Sequence, residues 1–119
     1  MDIKVNEAEV GDTAKLIIHR LIARRIRRDP NLVEKAKAVH ARQADQFEDW
    51  TFVPEWEALL SLPPAKLASK LAGLEQDMVR LRNSSPFYLA FEYLKDPEFR
   101  VWIARAARGL RSRAAEFLA

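Results

Sequence analysis

His19 and His40 are the residues in this chain best suited to proton transfer or metal ligation near neutral pH. Either role needs further ligands or a reacting group to converge on the ring. Nothing local supplies them: His19 sits among arginines, and His40 has only Glu34 and Asp45 nearby in sequence. Both read as histidines on helix surfaces. The chain has 0 cysteines, so there is no thiolate nucleophile, no sulfur ligand for zinc and no disulfide, which fits a reducing cytoplasm. Its 3 glycines, at positions 11, 73 and 109, are too dispersed to build a phosphate-cradling loop or a nucleophile elbow. The sequence therefore points to a binding protein, not an enzyme, with no metal and no cofactor.

Three groups of residues could carry binding. In the middle of the chain Trp50, Phe52 and Trp56 stand among Asp45, Glu48, Asp49, Glu55 and Glu57, and aromatic anchors rimmed by charge are what a protein interface uses. The same rings would serve equally well as core. The stretch RLRNSSPF, residues 80–87, sets Arg80 and Arg82 ahead of a serine-capped helix start, where free backbone N–H groups favour an anion. Its plain structural reading is that Ser84 or Ser85 caps, Pro86 begins the helix and Phe87 packs. Arg20, Arg24, Arg27 and Arg28 share one face of the first helix and could meet nucleic-acid phosphates. Against that, no aromatic residue interleaves with them in sequence, and the acidic middle segment could neutralise them within the fold.

Charge is distributed in blocks: residues 1–12 sum to −3, 13–43 to +7, 44–60 to −5, 61–99 to zero and the last twenty to +4, for a net +3. Two basic segments thus flank an acidic waist, able to meet each other or a partner. The composition, 49% hydrophobic and 31% charged, is that of a folded globule. The N-terminus lacks the basic start and apolar run of an export signal, and no apolar stretch approaches the roughly 20 residues that span a bilayer. A cytoplasmic protein with no membrane contact is expected.

The elements that position these groups read as helices. Apolar residues Ala14, Ile18, Leu21, Ile22 and Ile26 recur at helical spacing between about Thr13 and Arg28, with Asp12 or Thr13 as the cap. Asp29-Pro30 ends that helix. A second runs from about Leu32 to Phe47, opened by an Asn31/Glu34 capping box, with Leu32, Ala36, Val39 and Phe47 on one stripe. Residues 51–53 read as an extended link into a short helix, 55–62. Pro63 and Pro64 introduce another, 66–72, closed by Gly73 in left-handed geometry and followed by 74–82. A helix begins at Pro86 and runs to Leu94. The last runs from Pro97 to Leu118, with Trp102, Ile103, Ala106, Leu110, Ala114 and Phe117 inward. Residues 1–119 form one all-α domain, a bundle of five to seven helices with two longer helices at the N-terminus and one at the C-terminus. Residues 1–10 are expected to be flexible.

The block Trp56, Leu59, Leu60, Pro63 or Pro64, Leu67, Leu71 and then Arg80-Leu81-Arg82-Asn83-Ser84-Ser85-Pro86-Phe87 resembles a group of small helical bacterial proteins, some of them antitoxins encoded beside a toxin gene. The resemblance covers residues 56–87, and the arginine-to-phenylalanine stretch is its most specific part. It implies a protein that binds and neutralises a toxic enzyme; the candidate contact residues, Trp50, Phe52, Trp56, Arg80, Arg82, Ser85 and Phe87, come from the aromatic and arginine-serine groups above and not from the resemblance. A nucleic-acid-binding regulator working through Arg20, Arg24, Arg27 and Arg28 is the alternative. A subunit that homodimerises through its Trp-bearing final helix is a third reading.

Overall fold

The computed structural model describes residues 6–46 and 49–118, with side chains as far as Ala114. Phe47, Glu48 and Phe117, and the flexibility expected of residues 1–5, lie outside that description. Among the described residues seven α-helices follow one another: α1 (Glu7–Arg28), α2 (Val33–Gln46), α3 (Phe52–Leu60), α4 (Pro64–Leu71), α5 (Gln76–Leu81), α6 (Phe87–Ala90) and α7 (Pro97–Leu118). No strand occurs among the described residues. The expected arrangement holds: long α1 and α7, with α2 after α1 and short helices between.

Proline sets the joints. All 6 prolines fall in, or immediately before, the first turn of a helical segment, where a missing N–H removes no helical hydrogen bond. Pro54 shows how this alters the reading of residues 51–53. They are not extended; Val53 N–H bonds to the Trp50 carbonyl at 3.1 Å, and α3 has begun by Phe52, with Pro54 inside its first turn.

The capping chemistry also differs from expectation. α1 starts at Glu7 and not near Thr13, because Asn6 accepts the N–H groups of Ala8 and Glu9 at 2.9 and 3.3 Å. Residues 7–10 are therefore helical. At the far end Asp29, not Asn31, supplies the cap, accepting from Asn31 N–H at 3.2 Å and opening one 3-10 turn, Pro30–Leu32, before α2. Glu34 instead faces Lys37 at 3.4 Å. Gly73 does not adopt left-handed geometry; α4 closes through Ala72 N–H to Ala68 and Gly73 N–H to Lys70, both 3.1 Å. The helix expected over 86–94 breaks at Phe91, whose extended backbone turns its own ring and the Leu94 side chain into the core.

α1 lies against α4 on one side and α7 on another, while α2 packs on α3 and α6. Ile22, Ile26, Trp56, Leu67, Leu71 and Phe87 are wholly buried and anchor the core. Burying side chains of this size contributes about 2 kcal/mol each. In α7 the inward stripe is Phe99, Ile103 and Ala107. Trp102 and Leu110, expected inside, are exposed at 56% and 47%. The helix is rotated by about one residue, 100° of helical turn.

Candidate functional site

The RLRNSSPF block is mostly interior. Arg82 is buried, and its Nη2 donates to the Leu71 carbonyl at 2.9 Å and to that of Gly73. These carbonyls stand at and just beyond the end of α4, where a helix leaves acceptors unfilled and its dipole favours a cation. Burial, and then the charge of Arg20, holds the Arg82 guanidinium below its usual basicity. Trp56, also buried, donates its indole N–H to the Leu81 carbonyl and the Ser84 hydroxyl, both 3.1 Å away. Phe87 is fully buried and meets Trp56 edge-on at 6.3 Å.

Ser85 belongs to a buried relay that corrects the reading of the histidines. His19 is completely buried, not on the helix surface, and lies 2.7 Å from the Lys15 carbonyl through Nδ1 and 2.8 Å from Ser85 Oγ through Nε2. A carbonyl can only accept, so Nδ1 carries the proton and Nε2 accepts from the serine. Ser85 Oγ in turn accepts from Phe87 N–H at 3.2 Å, which is the serine cap expected for α6. Burial lowers the His19 pKa to about 4 against the smaller opposing effect of the Lys15 hydrogen bond, so the ring is neutral. Serine and histidine within hydrogen-bond reach resemble a nucleophile and its base. Here the third partner is a backbone carbonyl and the Phe87 and Tyr88 rings close over the imidazole at 6.5 and 5.4 Å, so the pair ties α1 to the start of α6. His40 is buried too, donating from Nε2 to the Val53 carbonyl at 2.8 Å and joining α2 to α3. Among the described residues no group of His, Asp and Glu is arranged to hold a metal ion.

Four of the seven residues considered for partner contact, Trp56, Arg82, Ser85 and Phe87, are thus held inside the fold, where a docking surface does not reach. Three are accessible to different degrees. Trp50 is exposed and meets the half-buried Phe52 edge-on at 5.3 Å, and Arg80 is exposed but closed in a fork on Glu55, with Nη2 2.6 Å from Oε2.

The arginines of α1 are different. Arg20, Arg24, Arg25, Arg27 and Arg28 are all exposed, and none faces a carboxylate among the described residues. Among the described residues the acidic waist does not neutralise them. Glu55 goes to Arg80, and the acids of the first turn of α1 go to α7, Glu7 to Arg108 and Glu9 to Arg111 at 2.7 and 2.6 Å. Arg20 and Arg27 lean toward α4, bonding to the Ala72 carbonyl at 3.2 Å and the Ser69 hydroxyl at 2.9 Å. On the opposite flank the Arg25 guanidinium lies 4.8 Å from the centre of the Tyr93 ring. Leu21, Arg24, Arg25, Arg28 and Tyr93 line a cleft of about 280 Å³. The result is a cationic ridge with an aromatic residue at its edge. Sequence spacing concealed that residue, because Tyr93 arrives from the 3-10 turn Glu92–Lys95, far along the chain.

No helix among the described residues is long and apolar enough to cross a membrane. No family model, curated protein or solved structure matches the chain, so any functional reading rests on the chain's own residues.

Proposed function

We propose that the chain is a nucleic-acid-binding protein that meets the phosphate backbone with the α1 ridge. The observation supporting it is the set of five exposed arginines within residues 20–28, none neutralised by a carboxylate among the described residues. An unpaired arginine retains its donors for phosphate, and the counterions that each phosphate releases make binding favourable and sensitive to salt. With four phosphates engaged, log affinity falls by about 3 to 4 per decade of salt. The test is a salt-titrated gel shift with the wild type and with Arg24 and Arg28 both changed to alanine. Among the described residues these two make no side-chain hydrogen bond or ion pair, so their loss bears on binding more than on the fold. Weaker binding and a shallower salt slope are expected; no binding at low salt, or unchanged affinity in the double variant, overturns the proposal.

A second reading, an antitoxin-like inhibitor of a partner enzyme, is favoured by the exposed Trp50 beside Phe52 at the turn between α2 and α3, with Asp49 exposed next to it. Co-expression with the product of an adjacent gene tests it. A copurifying complex lost on Trp50→Ala supports the inhibitor; absence of any complex removes it.

A further inference from the structure

The ridge does not end at Tyr93. From that ring a ladder of aromatic contacts runs outward: Tyr93 meets Phe99 edge-on at 5.3 Å, and Phe99 meets Trp102 at 6.2 Å with the planes 35° apart. Inward, Tyr93 stacks on the buried Phe91 at 6.0 Å and 18°. Cation and aromatic therefore adjoin at Arg25, and the series ends on Trp102, a large ring left 56% exposed. An exposed tryptophan joined through Phe99 and Tyr93 to an arginine that faces no carboxylate among the described residues is of little use to a duplex, whose bases are already stacked on each other. It suits bases that have no stacking partner. The shape of the ridge argues the same way. α1 is packed against both α4 and α7, so its arginines stand on a helix held between neighbours and not on a free helix that could enter a major groove. A flexible strand adapts to such a surface more readily than a stiff duplex.

We infer that the ridge takes single-stranded nucleic acid, with phosphates along Arg24 and Arg28 and a base stacked on Trp102. This rests on the nucleic-acid reading of the ridge and adds the class of ligand.

The experiment measures fluorescence anisotropy of a labelled twelve-nucleotide oligothymidylate and of a labelled twelve-base-pair duplex at the same low salt. The proteins are the wild type, Trp102→Ala, Trp102→Phe and the Arg24→Ala/Arg28→Ala variant. Because Trp102 is exposed, its variants fold, and thermal melts check that they do. The wild type prefers the single strand about tenfold or more. Trp102→Ala loses about 5- to 100-fold for the single strand and nothing for the duplex, the range expected for one base stack. Trp102→Phe keeps most of the affinity, and the arginine variant weakens both ligands. Equal binding of the two ligands, or single-strand affinity unchanged in Trp102→Ala, overturns the stacking inference and leaves the ridge standing. No binding of either ligand overturns both. Sedimentation of the same proteins covers a remaining use of the ring: a dimer that Trp102→Ala converts to monomer, with single-strand affinity unchanged, assigns Trp102 to self-association and overturns the inference.

Discussion

Acidification offers a sharp test of the buried His19–Ser85 relay. An unfolded chain exposes His19, which then titrates near 6.5, whereas in the fold the ring resists protonation until the pH approaches about 4. Between these values the unfolded state binds a proton that the folded state does not. Stability is therefore complete above pH 6.5 and drains away as the pH falls toward 4. Between pH 7.5 and pH 5.0 the two titration curves imply a loss of about 2 kcal/mol, a sizeable part of the 5–15 kcal/mol that holds a domain of this size together. Urea denaturation at the two pH values measures it, with His19→Gln as the control. Glutamine keeps a donor and an acceptor on its amide but does not titrate, so its curve should stay nearly flat over the same interval. Glu7, held below its ordinary carboxylate value by the hydrogen bond from Arg108, loses its contribution only at more acid pH. Parallel losses in wild type and His19→Gln would refute the relay as the source of the pH dependence.

Three further outcomes follow from the packing. Arg82→Met removes a buried cation and leaves the Leu71 and Gly73 carbonyls without their donor, so it destabilises by about 3 kcal/mol, read as a drop in the urea midpoint. Trp56→Phe deprives the Leu81 carbonyl and the Ser84 hydroxyl of the indole N–H and opens space in the core. It costs about 2 to 3 kcal/mol by the same assay, and an unchanged midpoint contradicts the bridge described. Gly11→Ala stabilises by about 0.5 to 1 kcal/mol, seen as a higher melting temperature, because Gly11 is inside α1 with nothing within 4 Å of where a Cβ would stand.

Helix number and order were legible because proline and apolar periodicity act locally. Pro97 and the 3.6-residue repeat delimit α7 without help from the rest of the chain. What could not be read was which of two apolar stripes on that helix turns inward. Phe99, Ile103 and Ala107 form one; Trp102, Ala106 and Leu110 form another beside it, and spacing alone favours neither. The choice is made by packing against α1, which lies along α7 and leaves Ile103 and Ala107 buried. The histidines failed for a related reason. His19 lies beside the apolar stripe of α1, and its burial depends on Ser85 arriving 66 residues later to satisfy Nε2. The aromatic edge of the ridge was equally hidden, since Arg25 and Tyr93 meet only after the whole bundle has closed. Arg82 shows the converse. The arginines and serines of RLRNSSPF drew notice as a surface anion site, yet Arg82 is spent on the end of α4.

The fork between Glu7 and Arg108 and the single bond from Arg111 Nη2 to Glu9 join residues 101 and 102 positions apart and tie the start of α1 to α7. During synthesis, at about 5 to 20 residues per second, the first helix leaves the ribosome several seconds before the last. Until then α1 has its α4 neighbour but not its α7 neighbour, and Ile18 faces water. Closing so long a loop is entropically slow, so docking of α7 is placed at the end of folding. Until α7 docks, the bundle lacks one wall.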